Sequence, residues 1–366
     1  MQKMDNWRRI WNDDICNNRN ALARTVLHAV SLLYLLIINV RNWLYDHRIF
    51  QEVKLPCPVI SIGNITVGGT GKTPCVIWLA RMLQRHGFKP AVLSRGYGSK
   101  NSRPVNIVSD GDNILLPGIT AGDEPFLIAR SLKNIPVITG PQRILTGQTA
   151  IDNFGVDVLI CDDAFQHRQI FRDINLVLLD NRAPFGNGHM LPEGNLREPI
   201  TALRRAHAFI LTRSNEATET ISKIDQVKNI PVFKSCHRPI DIVKGDYQSK
   251  LPLTDLQGKK VCAFAGIAQP DSFKKAILAT GAQIISFDIF PDHHRYSQKE
   301  LEKIRHIFME NNANYLITTE KDGMRLQNFP EFLNEIYLLR IELEIIPDSG
   351  SLETFILGIL GEQALG

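Results

Sequence analysis

Residues 63–74 read GNITVGGTGKTP. An apolar run, Val59-Ile60-Ser61-Ile62, leads into this stretch, and an amphipathic segment stopped by Gly87 follows it. Strand, glycine-rich turn and helix in that order predict a phosphate-binding loop. In such a loop successive backbone N–H groups point at phosphate oxygens, and the helix presents its positive end. The nucleotide-binding segment is Thr66, Val67, Gly68, Gly69, Thr70, Gly71, Lys72 and Thr73. Gly68, Gly69 and Gly71 give the backbone the freedom to form the cradle. Lys72 is expected to reach the β and γ phosphates of ATP, and the Thr73 hydroxyl to bind Mg²⁺. Thr66 stands where the consensus G-x-x-x-x-G-K-[ST] has its first glycine, which alters the entry turn and leaves the cradle intact.

Further along, VDVLICDD (residues 156–163) is an apolar strand that ends in two carboxylates. Asp162 and Asp163 fit the metal-holding strand end of a phosphate-loop protein. INLVLLD and AHAFILTR are further strands, and helical patterns separate them. Continuous apolar strands alternating with helices predict an α/β fold, with a mostly parallel sheet covered by helices on both faces. Residues 103–116 read as a hairpin turning at Asp110-Gly111-Asp112, and GDEPFLIARSL opens a helix with acids in its first turn. A second, smaller α/β set begins near Lys259 with KKVCAFAGIAQPDSF, followed by AQIISFDIF and NYLITTEKD. VFKSCHRP and EIYLLRIELEI suggest paired linker strands. The expected divisions are an amino-terminal helical segment (1–45), a phosphate-loop domain (46–230), a smaller α/β domain (231–345) and a carboxy-terminal helical segment (346–366).

Composition narrows the function. With 366 residues, two domains are the default. The chain is 44% hydrophobic and 22% charged, which excludes extensive disorder. A net charge of +4 is too small to argue for nucleic acid, and no nucleic-acid partner is expected. The six cysteines are scattered without a C-x-x-C pair, so we expect reduced thiols and neither a disulfide framework nor a zinc site. From Val26 to Val40 the chain is apolar except for His28, Ser31 and Asn39. That run is shorter than the roughly 20 residues a straight membrane crossing needs. Trp7, Trp11, Tyr34, Trp43 and Tyr45, with Arg8, Arg9 and Arg41, suit an interfacial anchor. A helix associated with a membrane is expected, either spanning it or lying in its surface; a buried core helix is the plain alternative.

Several stretches go beyond a generic phosphate loop: GNITVGGTGKTP, SRGYGS, AGDEP, DDAFQHR, GNGHMLPEGNLREP, FAGIAQPDSF, DHHRY and TTEKD. In this order the sequence resembles the tetraacyldisaccharide 4'-kinase family of bacteria with an outer membrane. The resemblance runs from the amino-terminal helix to about Leu326. It implies a phosphate-loop α/β domain, a second smaller α/β domain and a helix seated on the cytoplasmic face of the inner membrane. It also implies transfer of the ATP γ-phosphate, with Mg²⁺, to the 4'-hydroxyl of a tetraacyldisaccharide 1-phosphate, giving lipid IVA. Ala164 departs from the glycine expected in DDGFQH, which puts the local loop geometry in question.

Roles follow for individual residues. The resemblance makes Asp123 the acceptor-side base, assisted by His293 or His294; helix capping is the alternative for Asp123. Gln166 and His167 follow the strand-end aspartates and are candidates to line a cleft at the carboxyl edge of the sheet. The loop from Gly186 to Glu198, with Asn187, Arg197 and Glu198, suits substrate capture. Arg197 fits either a phosphate fork or a structural ion pair. Arg95, Tyr97 and Glu124 are further candidate substrate contacts, while TTEKD is left to the adenine or to the interdomain cleft. Two other readings stand beside the lipid kinase, which is expected to be monomeric: a soluble small-molecule kinase or ligase, and a membrane-recruited ATPase switch.

Overall fold

The computed structural model describes residues 21–96, 103–214 and 229–364; Trp7, Arg8, Arg9, Trp11, Cys16 and Tyr97 lie outside them. The chain forms two compact units. Residues 1–95, 142–236 and 344–366 make the first, and residues 96–141 and 237–343 the second. This partition differs from the contiguous boundaries expected above: residues 96–141 belong with the second unit, and the carboxy-terminal helix with the first. Periodicity identifies an element but not the core that its apolar face joins.

The first unit opens with α1 (Ala21–Asp46), β1 (Val59–Gly63), α2 (Lys72–Arg85) and β2 (Pro90–Ser94). The chain then enters the second unit for β3 (Asn106–Ser109), α3 (Asp123–Ser131) and β4 (Val137–Thr139). It returns for α4 (Arg143–Phe154), β5 (Val158–Asp162), β6 (Ile174–Asp180) and β7 (Ala208–Thr212). Strand β8 (Val232–Lys244) leads back into the second unit, followed by β9 (Lys250–Pro252), β10 (Lys260–Ala265), α5 (Pro270–Leu278) and β11 (Gln283–Ile289). Next come α6 (Gln298–Glu310), β12 (Tyr315–Thr319) and α7 (Glu320–Arg325). Strand β13 (Tyr337–Ile346) returns to the first unit, where α8 (Gly350–Ala364) ends the described chain. The two strands that cross between units, β8 and β13, are sheet neighbours, as their pairing as linkers predicted.

In the first unit the strand order is β7-β6-β1-β5-β2, all parallel. Every residue of β1, β2, β5 and β7 is buried, as continuous apolar runs require of strands covered on both faces. Strand β1 is central, and Ile62 is in register with Asp162 of β5. The glycine-rich turn therefore leaves the sheet beside that carboxylate. Helix α2 buries Thr73, Cys75, Val76, Leu79, Ala80, Met82 and Leu83, the helical stripe expected of a packed face. Helix α8 belongs to the same body. The Phe355 ring lies tilted against that of Phe233, centroids 5.7 Å apart, and Glu353 pairs with Arg85 at 3.3 Å.

In the second unit β11, β10, β12 and β13 are parallel. Strand β10 alternates cleanly: Cys262 and Phe264 pack with Leu301 and Ile304 of α6. Val261, Ala263 and Ala265 pack on the other face with Phe273 and Ile277 of α5. Ser297 opens α6 with a full capping box to Glu300. Strands β3 and β4 are antiparallel, and the turn after β3 is closed by Asp110, whose carboxylate accepts from the N–H groups of Asp112 and Asn113.

Helix α1 is two-faced. Val26, Val30, Leu33, Ile37 and Val40 form an exposed apolar stripe at helical spacing, with Leu32, Leu36 and Trp43 beside it. The opposite face is docked onto the first unit. Ser31 donates to the Met190 carbonyl at 3.0 Å, Tyr34 to the Arg197 carbonyl at 3.0 Å, and Ile38 enters the core.

Candidate active site

The phosphate loop is held open by its neighbours. Thr66 makes a strand-like bridge with Leu196, Val67 N–H donates to Asn195 at 2.7 Å, and Arg197 N–H donates to Ile65 at 2.7 Å. That extended conformation suits a β-branched residue, which explains how threonine replaces the first glycine. The left-handed backbone falls on Gly68 and Gly71, where φ is 129° and 86°. Asn64, which the sequence reading passed over, is the brace. Its amide donates to the Thr66 carbonyl (2.8 Å) and the Thr70 hydroxyl (3.0 Å), and its oxygen accepts from Lys72 (3.2 Å). Gln166 donates to the Asn64 carbonyl at 2.9 Å, so this candidate substrate contact supports the loop. Gly63 is also required, because an added Cβ would lie 2.5 Å from the Cβ of Phe165.

Lys72 and Thr73 open α2. Lys72 Nζ lies 3.4 Å from Asp163 Oδ1, and Arg197 Nη1 reaches both Asp163 oxygens at 2.9 and 3.0 Å. Burial pushes the Asp163 carboxyl up, but Lys72 and Arg197 outweigh it and hold it below its ordinary range. Arg197 is thus an ion pair with one of the strand-end carboxylates. Asp162 is buried and accepts from Ser94 at 3.1 Å, while Arg143 donates to the Asp162 carbonyl at 3.4 Å. The left-handed residue here is Asp163, with φ of 49°; Ala164 is fully buried with no positive φ, so the extra methyl is accommodated. His167 is pushed down to about 4 by burial and by the arginines Arg143, Arg172, Arg95 and Arg41, and is neutral at ordinary pH. Arg95 is exposed at the end of β2.

The loop from 186 to 198 is built against α1. Asn187 shapes it internally, accepting from His189 N–H at 3.2 Å and donating to the Glu193 carbonyl at 3.3 Å. Glu198 has no exposed surface; it accepts from Arg41 of α1 at 2.6 Å and from Arg205. The structure therefore places Glu198 in the docking of α1 and gives it no surface for direct substrate contact.

In the second unit four separated motifs meet. Arg325 Nε donates to Asp123 Oδ2 at 2.7 Å, and Lys321 pairs with Glu124 at 2.7 Å. The TTEKD segment and the arginine that follows it therefore grip AGDEP. His293 Nδ1 lies 3.6 Å from Asp123 Oδ2, whereas His294 is buried, stacked on Phe290 and 3.2 Å from Glu300. Of the two histidines, His293 accompanies Asp123. Burial raises the Asp123 carboxyl, but the His293 hydrogen bond and the Arg325 charge outweigh it, and the net displacement is downward. Asp123 does not cap its helix: the N-cap is Gly122, with no side-chain cap bond.

A glycine cradle at a helix start, an invading lysine and paired carboxylates at a strand end define a phosphate-loop α/β nucleotide-binding protein. The family model of LpxK, tetraacyldisaccharide-1-P 4'-kinase, matches residues 23–361. The tetraacyldisaccharide 4'-kinase of Syntrophus aciditrophicus is 45% identical, over 95% of this chain and 96% of that one. The one from Desulfatibacillum aliphaticivorans is 42% identical, over 88% and 89% respectively. A crystal structure of Aquifex aeolicus LpxK in complex with ATP superposes with a TM-score of 0.76 at 33% identity, covering 92% of this chain and 99% of that one. The chain belongs to the tetraacyldisaccharide-1-P 4'-kinase family.

Proposed function

We propose that the protein transfers the γ-phosphate of ATP to the 4'-hydroxyl of a tetraacyldisaccharide 1-phosphate, working at the cytoplasmic face of the inner membrane. The observation that carries the donor half is the braced loop from Thr66 to Thr73, with Lys72 held between Asn64 and Asp163. On ATP binding Lys72 exchanges these partners for the β and γ phosphates, a stronger anion. The Thr73 hydroxyl and the carboxylates of Asp162 and Asp163 are hard oxygen donors, the set that Mg²⁺ takes. Asp162 is the readier ligand, because Asp163 already carries two cations. Bound there, Mg²⁺ would neutralise charge on the transferring phosphoryl group.

On the acceptor side, Asp123 takes the proton of the 4'-hydroxyl, with His293 beside it. Arg95, Glu124 and His167 are candidate contacts to the sugar and its phosphate. The exposed stripe of α1 sets the depth of the enzyme in the lipid surface, as an interfacial helix with one face committed to protein. Incubation with labelled ATP and tetraacyldisaccharide 1-phosphate should yield the bis-phosphorylated lipid. Lys72→Ala should abolish the product while leaving the circular dichroism spectrum intact; retained turnover would overturn the loop assignment.

A further inference from the structure

Arg325 is nearly fully buried and has a partner for each of its three nitrogens. Nε donates to Asp123 Oδ2 at 2.7 Å, Nη1 donates to the Gly266 carbonyl at 2.7 Å and to Asp322 Oδ1 at 3.1 Å, and Nη2 lies 3.3 Å from His293 Nδ1. A purely structural guanidinium would be satisfied by Asp322 and Gly266, which lie on the scaffold behind it. Here two of its nitrogens are turned instead to a helix-start carboxylate and a loop imidazole. We propose that Arg325 is a positioning residue for phosphoryl transfer, holding Asp123 and His293 in one array aimed at the acceptor hydroxyl. The proposal rests on the reading of Asp123 as the acceptor-side base.

The anchor behind Arg325 is rigid. Asp322 has no exposed surface and accepts from the Tyr296 hydroxyl (2.9 Å), the Thr319 hydroxyl (2.6 Å) and Gly266 N–H (3.1 Å). Gly266 is closely packed, since a Cβ would lie 3.0 Å from both Asp322 Oδ1 and the Tyr296 hydroxyl. His293 adopts a left-handed backbone with φ of 59°, which turns its ring toward this array. Such a backbone is strained and persists only where its surroundings fix it.

His293 Nδ1 lies 3.3 Å from Arg325 Nη2 and 3.6 Å from Asp123 Oδ2, so one imidazole nitrogen faces both groups. Asp123 Oδ2 and His293 Nδ1 therefore sit together beside one cation, Arg325. As the acceptor O–H bond breaks, its electron pair forms the new bond to the γ-phosphorus and the bond from phosphorus to the ADP oxygen breaks. The proton goes to the Asp123 carboxylate, with His293 beside it. Around Asp123, α7 supplies Glu320, Lys321 (paired with Glu124), Asp322 and Arg325. The 291–296 loop supplies Asp292, His293, His294 and Arg295, and α3 itself supplies Glu124 and Arg130; β3 and β4 carry no titratable side chain. Arg325 is thus the cation that touches Asp123 directly, and it helps keep the carboxyl below its ordinary range.

The test is the pH profile of kcat for the full chain with ATP and tetraacyldisaccharide 1-phosphate, in Arg325→Gln, Arg325→Lys and Asp123→Asn. Arg325→Gln should lower kcat by roughly 100-fold, the scale of a lost alignment. It should also move the acid limb upward by about one pH unit, because the cation that favours the carboxylate is gone. The KM for ATP should stay near wild type, and Arg325→Lys should restore part of the rate and most of the limb. An unmoved acid limb, with kcat and KM altered together, would make Arg325 structural only and overturn the proposal. If Arg325→Gln does not fold, the lysine variant decides: wild-type kcat there would equally overturn it. Asp123→Asn should lose the acid limb altogether; retaining it would sink the base reading itself, whatever the Arg325 variants show.

Discussion

Glu198 offers the sharpest test of how α1 is tied to the catalytic body. It is completely buried, with Arg41 of α1 on one oxygen and Arg205 and Asn42 on the other. Replacing it by glutamine keeps the shape but removes the charge, and one of its two acceptor oxygens becomes a donor that faces an arginine. At the effective dielectric of such sites, each close pair is worth about 4 kcal/mol of gross attraction, offset largely by desolvation. Removing one partner leaves the other charges buried without compensation, which costs about 3–5 kcal/mol. Arg205 is the most affected, because burial already pulls it down to about 10 with Glu198 working against that pull. Urea unfolding followed through Trp43 and Trp78, both in the first unit, should show the midpoint falling with an unchanged slope. Protease cleavage in the 47–57 segment should become faster as α1 undocks. A stability loss below about 1 kcal/mol would refute the reasoning, as it is the value of an exposed pair. Changing Glu198, Arg41 and Arg205 together to leucine should recover most of the loss, since a buried ion cluster is often replaceable by apolar volume.

Two further outcomes follow from the same unit. His167 is held near 4 when folded against an ordinary 6.5, so between those values the unfolded chain binds the extra proton and stability must fall as pH falls. At pH 5 the loss is about 1–2 kcal/mol relative to pH 8, and His167→Gln should remove that part of the acid sensitivity; identical profiles would count against a neutral buried imidazole. Leu33→Glu with Ile37→Glu, two substitutions in the exposed stripe of α1, should abolish sedimentation with anionic phospholipid vesicles while leaving the melting temperature within a few degrees, and unchanged pelleting would remove the stripe as the lipid contact.

Local patterns made much of this legible in the sequence. Strand, turn and helix around GNITVGGTGKTP are each fixed by residues within a few positions: the apolar run, the positive-φ glycines and the stripe of α2. The strand-end carboxylates were equally visible, because an apolar run ending in Asp162 and Asp163 needs no distant partner to be recognised. The partition of the chain was not. Residues 96–141 carry helix and strand signals as ordinary as those of the first unit, and nothing local says that they belong with the second unit.

The site residues divide along the same line. By sequence, Glu198 and Asn187 suit substrate contact, because a polar loop rich in glycine and proline has that chemistry on its own. Only the approach of α1, about 160 residues away in sequence, turns Glu198 inward as the counter-ion of Arg41. Arg325 shows the converse error. It lies just beyond the TTEKD stretch, and its partner Asp123 is 202 residues earlier in the chain, so no spacing rule connects them. What did carry information was the set of separate, otherwise unexplained short motifs. AGDEP, FAGIAQP, DHHRY and TTEKD each hold one piece of a single hydrogen-bonded array: Asp123, Gly266, His293 with Tyr296, and Asp322. A motif whose residues have no local partner is asking for a distant one. The buried, acceptor-saturated Asp322 is where those requests converge, which is why Asp123 is held from the far end of the second unit rather than from its own helix.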